Sequence, residues 1–312
     1  MKDFLKPNEI YQGYSENVMY DIEPSSIALS VWSPPYHMNK DYEKGQSYEE
    51  WQQMLENVIK AHQVVLKDGG FMVVNIADIL CFPDERMPKI QTQNPSLQKV
   101  SVTKEDILKV LEEHPTWNRK QIGKVLGCSE QTVDRRLHGV NIRGGKYVTQ
   151  TRVQLVGNII QDFAQKYGLY LYDRRIWRKD PSWANSKWTN SSYKSVDEFE
   201  YLYMFWKPAE IKVNRDRLTP QEWKEWGSRA IWEFPSVRAN KDHEAMFPIE
   251  LPARCIRLLT DPNDIVLDPF MGSGTTAVAC LHTHRQYIGI EKEAKYVELA
   301  QKKIKSVGGF LF

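Results

Sequence analysis

The segment Ile265-Val-Leu-Asp268-Pro-Phe-Met-Gly272-Ser-Gly274-Thr-Thr276 constrains the fold more than any other stretch of this chain. A short apolar run ends on an acidic residue, two glycines follow, and Thr275 to His282 has the composition of a helix. That is the strand, loop and helix of a parallel sheet, in which ligands bind beyond the carboxyl ends of the strands. The glycines let a ligand approach the backbone, and the helix start leaves N–H groups without intrahelical partners. A triphosphate-gripping loop needs Gly-Lys-Ser/Thr; Gly-Thr-Thr stands here instead, which disfavours a nucleoside triphosphate. Tyr287 to Ile290 reads as the next strand and Glu291 closes it, where a carboxylate can accept both hydroxyls of a ribose.

The rest of the chain fits around that unit. Ile27 to Trp32 is an apolar run stopped by Ser33-Pro34-Pro35-Tyr36, a buried strand ended by prolines that lack a ladder donor. Tyr48 to Leu66 carries Trp51, Leu55, Val58, Ile59 and Val65 at helical spacing. Asp68-Gly69-Gly70 reads as the end of that helix and Phe71 to Ile76 as the next strand, which makes a parallel crossover. Strands are expected at Leu169–Trp177, Tyr201–Trp206 and Asp264–Asp268, and helices at Gln154–Tyr167, Pro248–Leu259 and Lys292–Val307. Cys81 to Val100, rich in Pro, Gln and Asn, reads as a linker, and Thr103 to Leu137 as short helices with no strand. The fold class is therefore α/β: a Rossmann-like, mostly parallel sheet from residues 1–80 and 150–312, carrying a small all-α module at 101–140. At 312 residues, 41% hydrophobic and 26% charged, the chain can bury such a core and is not disordered throughout.

In a parallel sheet Ser33-Pro34-Pro35-Tyr36 faces the same edge as Asp268. The prolines hold the backbone, so the Ser33 hydroxyl and the Pro34 carbonyl form two acceptors suited to an exocyclic amine, and Tyr36 offers a flat face for a base. Adenosine without a large phosphate demand, beside an amine pocket, points to S-adenosyl-L-methionine as cofactor and to amine methylation.

These motifs, in this order, resemble the amino-methylating DNA methyltransferases of the permuted β-type, where the target motif precedes the cofactor motif. The resemblance covers residues 10–80 and 150–305. It implies catalytic roles for Ser33, Pro34, Pro35 and Tyr36, and cofactor binding by Asp268, Phe270, Gly272, Ser273, Gly274, Thr275, Thr276 and Glu291. His243-Glu-Ala-Met-Phe247-Pro248, with Leu251, Pro252 and Arg254, resembles the family segment around the methionine end, which adds Phe247 and Pro248. In that family serine at the first motif position goes with N4-cytosine and aspartate mostly with N6-adenine. Ser33 therefore favours N4-cytosine, in a base flipped from double-stranded DNA, with N6-adenine as the alternative. Related enzymes often carry Gly-Asp before the target strand, the acidic residue lying near the cofactor's adenine. Gly13-Tyr14-Ser15 stands here and leaves that contact to Tyr14 or Ser15.

The middle of the chain is basic: His114 to Lys179 holds thirteen Lys/Arg against four Asp/Glu, a local +9 in a chain whose net charge is +2. That is the footprint of a polyanion-binding segment or a solvated basic face. Within it, Ile122, Val125, Leu126, Val133 and Leu137 can bury one side of two short helices, with Gly127 at the turn and Ser129 as N-cap. The pattern resembles a helix-turn-helix. Glu130, Gln131, Asp134 and Arg135 would reach base edges from the second helix, with Lys120, Lys124, Ser129 and Arg136 at the backbone. The alternative is a helical hairpin that packs or holds a protein partner. A second candidate for target recognition is 180–235, where Trp183, Asn185, Lys187, Trp188, Asn190 and Tyr193 form a polar-aromatic stretch.

Other readings are narrowed by absences in the sequence. None of Cys81, Cys128, Cys255 and Cys280 follows a proline, which argues against a C5-cytosine thiolate route, and their wide spacing fits neither a disulfide set nor a metal site. A mean hydropathy of -0.55 with no long apolar run argues against a membrane span, and the N-terminus against a signal peptide, so a cytoplasmic, DNA-associated protein is expected. Double-stranded DNA is the expected partner; a paired restriction endonuclease is a candidate that the residues themselves do not imply. A DNA-binding regulator whose methyltransferase fold no longer catalyses is the reading of a different class, disfavoured by the intact motifs.

Overall fold

A computed structural model describes residues 3–36, 46–84, 86–87, 90–91, 101–138, 147–148, 151–183, 193–211, 213–237 and 247–308. The chain divides into two compact units, Met1–Ile79 with Leu155–Phe312, and Leu80–Gln154. In chain order the first elements are β1 (Glu9–Gln12), α1 (Ser15–Val18), β2 (Ile27–Trp32), α2 (Tyr48–Val65) and β3 (Leu66–Ile76). Next come β4 (Ile79–Pro83), β5 (Ile90–Gln91), α3 (Lys104–Glu113), α4 (Arg119–Val125), α5 (Glu130–His138), β6 (Tyr147–Val148) and β7 (Thr151–Gln154). The chain continues with α6 (Val156–Lys166), β8 (Tyr170–Arg178), β9 (Phe199–Trp206), α7 (Pro220–Glu222) and β10 (Ile231–Glu233). It closes with α8 (Glu250–Leu259), β11 (Ile265–Asp268), α9 (Thr275–His282), β12 (Gln286–Glu291) and α10 (Ala294–Gly308).

The larger unit is built on an eight-stranded sheet in the order β1-β12-β11-β2-β3-β9-β8-β10. Its first five strands are parallel, β9 runs antiparallel to both β3 and β8, and β10 is parallel to β8. This is the α/β, mostly parallel class the sequence led us to expect. β2 is buried at all six positions, as a strand covered on both faces must be. Helix α2 begins on a capping box, Ser47 Oγ accepting the Glu50 N–H while the Glu50 carboxylate accepts the Ser47 N–H. Its stripe of Trp51, Leu55, Val58, Ile59 and Val65 is fully buried.

Two readings of this unit change. Asp68-Gly69-Gly70 lies inside β3 rather than ending a helix: Ile27 pairs with Leu66 and Leu29 with Phe71, so the glycines form a bulge against β2. Gly69 has φ +80, and a Cβ on Gly70 would lie 2.9 Å from the Lys67 carbonyl, so both positions need glycine. β1 and β10 carry no apolar alternation that would mark them; each is an edge strand held by its neighbour.

In the smaller unit α3, α4 and α5 enclose a core of Val102, Ile107, Ile122 and Val133, with Leu126 and Leu137 packed against it. Gly127 has φ +62 at the turn between α4 and α5, and a Cβ on Gly123 would strike the Cys128 carbonyl at 2.6 Å. The Ser129 hydroxyl accepts the Thr132 N–H at 3.3 Å, the cap its position implies. Val125, by contrast, is 60% exposed and lies outside this core. The expected linker at 81–100 is partly sheet, β4 pairing with β7 and β5 with β6. Isolated two-stranded pairs this short carry too weak a pattern to be read from composition.

His62 on α2 is fully buried, its Nδ1–H donating to the Val58 carbonyl at 2.8 Å and its Nε2 accepting from Ser30 Oγ at 2.7 Å. Burial depresses its pKa from 6.5 to about 4, so folding keeps it neutral while the unfolded chain protonates it. The sign follows: this stability is complete above pH 6.5 and is lost as pH falls toward 4, a fall on the order of 3 kcal/mol. His62→Leu should lower stability at pH 7, and the difference in stability between wild type and variant, read from urea midpoints, should shrink with that slope as pH falls from 6.5 to about 4.5.

Candidate active site

Because β2 and β11 are parallel neighbours, with Val266 opposite Leu29 and Leu267 opposite Ser30, their carboxyl ends leave the sheet side by side. Ser33–Tyr36 follows one and the Pro269–Gly274 loop the other. Trp32, the last residue of β2, packs on Phe270 of that loop with ring centroids 5.4 Å apart. A cleft of about 350 Å³ opens there, lined by Ser33, Pro34, Pro35 and Tyr36 on one side and by Pro269–Ser273, Thr275 and Glu291 on the other. Tyr14, Asn75, Lys179, Glu200 and Phe247 also face it.

The loop after β11 is held by its own side chains. Asp268 Oδ1 accepts the Phe270 N–H at 2.9 Å and Oδ2 accepts the Thr276 hydroxyl at 2.5 Å. Burial pushes the Asp268 carboxyl up to about 7 against those two donors. Glu291 works from the next strand: Oε2 accepts the Gly272 N–H and Oε1 the Glu293 N–H, each at 2.9 Å. Its pKa is raised, chiefly by burial. Ser15 adds a bond from its hydroxyl to the Pro269 carbonyl. Gly274 sits at φ +84 with the place of a Cβ 2.9 Å from that of Ala300, so a side chain there meets both strain and α10.

On the other side, the indole N–H of Trp51 donates to the Pro35 carbonyl at 2.7 Å and fixes the proline turn. Ser33 Oγ donates to Tyr36 Oη at 3.0 Å, and Tyr36 Oη to Glu200 Oε2 at 2.8 Å. Burial, then the Glu200 charge, raise the Tyr36 phenol well above its ordinary value, so it keeps its proton. Lys179 Nζ lies 2.6 Å from Glu200 Oε1 and 3.2 Å from Asp197 Oδ2. Burial works against its charge, but the two carboxylates outweigh it and raise its pKa.

The residues expected at the site divide into two groups. Ser33, Pro34, Pro35, Tyr36, Phe247, Phe270, Gly272, Ser273, Thr275 and Glu291 line the cleft. Asp268, Gly274, Thr276 and Pro248 are not among its lining residues; the first three shape the loop from behind. Arg254 faces elsewhere, over Trp226, Trp232 and Phe234 at 5.3, 5.5 and 5.0 Å from their ring centroids, and pairs with Glu250. Leu251 is in the core and Pro252 is buried on α8, while 243–246 lies outside the described residues. Of the region 180–235, Trp226 and Trp232 are core, Trp183 is 70% exposed, and Asn185, Lys187, Trp188 and Asn190 lie outside the described residues. Asn75, Lys179 and Glu200 were missed, since each lies at the end of a strand with no motif around it.

The basic stretch is also divided. Arg152, Lys166, Arg175, Arg178 and Lys179 pair with Asp84, Glu56, Asp173, Glu233 and Glu200. On the helices of the smaller unit Lys120, Lys124, Glu130, Gln131 and Arg136 are exposed. Asp134 pairs with Arg119 at 2.9 Å and Arg135 reaches Gln131 at 3.4 Å. No cysteine lines the cleft; burial raises the Cys255 thiol to about 12. Among the described residues, no group of three His, Cys, Asp or Glu side chains could hold a metal ion, and no helix is long and apolar enough to cross a membrane.

A mostly parallel sheet with a glycine loop and a buried carboxylate beyond one strand, and a proline turn beyond its neighbour, is the ligand-binding edge of an α/β protein. Comparison with known proteins narrows this class. Residues 27–302 match the DNA methylase family, and the chain belongs to it. It is 55% identical over 303 residues to the Type II methyltransferase M.BglI of Bacillus subtilis, covering 97% of this chain and 87% of that one. It is 24% identical to M.BglII of Bacillus subtilis over 94% of this chain and 68% of that protein. The fold is shared with the PvuII DNA methyltransferase, described as cytosine-N4-specific, at TM-score 0.63 and 17% identity, covering 98% and 93% of the two chains. It is shared equally with a candidate DNA modification methylase of Thermus thermophilus solved with S-adenosyl-L-methionine, at TM-score 0.60 and 23% identity over 96% and 93%.

The Asp268 carboxyl yields a prediction with a definite sign. A folded pKa of about 7 against 3.8 means that ionising it costs stability, fully above pH 7 and progressively less as pH falls. Asp268→Asn, which keeps the shape and removes the charge, should raise the melting temperature at about pH 8, and the gain should shrink steadily below pH 7 and be lost only as pH approaches 3.8.

Proposed function

We propose that this DNA methyltransferase transfers a methyl group from S-adenosyl-L-methionine to the exocyclic N4 amine of cytosine in double-stranded DNA. The observation that carries the reading is the shared cleft: Ser33 and the Phe270–Ser273 loop open on one space from adjacent parallel strands. The cleft fits the cofactor. The Glu291 oxygens each accept one backbone N–H and keep a lone pair for the ribose hydroxyls. Ser15 is committed to Pro269, so Tyr14, 62% exposed at the cleft, is the residue left for the adenine. Phe247, Phe270 and Met271 supply apolar walls.

When bound, the cofactor supplies an electrophilic methyl group on a sulfonium. The chain's residues do the rest. Ser33 Oγ and the Pro34 carbonyl accept the two N–H bonds of the amine, which favours the rehybridised nitrogen and the charge it gains in attack. Tyr36 gives the flipped base a ring to lie on, and the rigid turn would hold the nitrogen on the side of the cleft that faces the Phe270–Ser273 loop, where the cofactor would be held. Ser33 is an acceptor here, not a nucleophile. Serine rather than aspartate at this position favours cytosine in the enzymes the motif resembles.

The helix-turn-helix-like module is the proposed DNA contact, with Lys120, Lys124 and Arg136 at phosphates and Glu130, Gln131 and Arg135 toward base edges. Ser129 and Asp134 serve the helices themselves, as cap and as partner of Arg119. We also read the chain as the modification partner of an endonuclease with the same target.

Digestion and mass analysis of DNA from a host expressing the chain should show N4-methylcytosine; N6-methyladenine or 5-methylcytosine instead would sink this reading. Ser33→Ala should lower kcat on the order of a hundredfold with cofactor affinity unchanged. Replacing Lys120, Lys124 and Arg136 together by Ala should weaken DNA binding and reduce its logarithmic salt slope by about 2–3. An unchanged slope would assign the module to packing.

A further inference from the structure

A serine hydroxyl can donate as readily as it accepts. Turned the wrong way, the Ser33 hydrogen would point at the amine lone pair that must attack the methyl carbon. The groups behind Ser33 remove that freedom. Tyr36 Oη lies 2.8 Å from Glu200 Oε2 and 3.4 Å from the Asn75 carbonyl, both of which only accept. The single phenolic hydrogen therefore leaves Tyr36 in their direction. Tyr36 Oη is then an acceptor toward Ser33, 3.0 Å away, and takes the only hydrogen that Ser33 Oγ has. Ser33 presents lone pairs alone to the cleft.

Lys179 keeps this order in place. Its ammonium, 2.6 Å from Glu200 Oε1 and 3.2 Å from Asp197, donates to the one oxygen and holds the other, Oε2, toward the Tyr36 hydroxyl as an acceptor. Glu200 at the start of β9 and Lys179 just after β8 come together because the two strands are antiparallel partners, with Arg178 opposite Phe199. Ser33, Tyr36, Lys179 and Glu200 all face the one cleft.

We propose that Glu200, acting through the Tyr36 hydroxyl, is a positioning residue that fixes Ser33 as a pure acceptor for the target amine. The proposal rests on the reading that Ser33 receives that amine. Tyr36 then acts twice, its ring facing the base while its hydroxyl sets the polarity of Ser33. Glu200→Gln breaks the order, because an amide can donate to Tyr36 and let the whole chain of hydrogen bonds reverse.

The test is steady-state methylation of a DNA substrate by the full-length protein, with cofactor binding followed by calorimetry. Tyr36→Phe keeps the ring and removes only the middle hydroxyl. It should lower kcat on the order of tenfold with the KM for S-adenosyl-L-methionine unchanged. Glu200→Gln should do the same, Glu200→Asp should recover part of the rate, and the double variant should be no slower than either single one, since both act on one hydroxyl. Wild-type kcat in Tyr36→Phe, or strictly additive losses, would overturn the relay. So would a loss of cofactor binding and melting temperature that accounts for the whole effect, which is what a purely structural cluster would give. Should Glu200→Gln fail to fold, Tyr36→Phe decides alone. A wild-type protein that methylates no exocyclic amine takes down the functional reading and this proposal together. Methylation with unaffected variants takes down the relay only.

Discussion

Parallel pairing of β2 with β11 governs what can happen at the edge of this sheet. The two strands lie far apart in sequence, and each ends in a loop that would do little alone. Side by side and pointing the same way, they deliver a proline turn and a glycine loop to one place. The two faces of β2 fix that register by their different partners, Leu29 and Val31 packing in the core and Ser30 bonding His62 of α2, and slipping one residue would exchange them. The Trp32–Phe270 contact ties the two loops directly.

Polar groups at this edge mostly hold one another. Asp268 and Glu291 direct lone pairs to backbone N–H groups of the loop, Trp51 fixes the Pro35 carbonyl, and Lys179 balances Glu200 and Asp197. Each is a buried or half-buried polar group with a partner in the chain itself, so the loops at this edge are held by the protein's own side chains. Keeping the Asp268 carboxyl buried costs stability, and it holds the loop in a shape that a free chain would not adopt.

How much of this was legible from the residues depended on the length of the signal. Ile27–Trp32 and Thr275–His282 are found where their pattern puts them, because an unbroken apolar run and a helix start behind glycine leave little choice. Ser129 was recognisable as a cap and Gly127 as a turn for the same local reason. Gly69 and Gly70 misled, since a glycine pair reads as an end when it can equally bulge a strand. Lys179 and Glu200 left no trace, because their meeting is a product of the β8–β9 pairing and not of spacing along the chain.

The class of fold and the two motifs that carry chemistry were already written in the residues, because strand ends, glycine turns and proline turns each occupy a few adjacent positions. Which groups stand behind those motifs was settled only by the folded arrangement. It placed Glu200 and Lys179 behind Ser33, committed Ser15 to a carbonyl, left Tyr14 at the cleft, and moved Arg254 into an aromatic cluster away from it. The difference lies in the range of the interactions. Backbone conformation answers to neighbours in the chain, whereas hydrogen bonds and ion pairs answer to whatever the sheet order brings within about 3 Å.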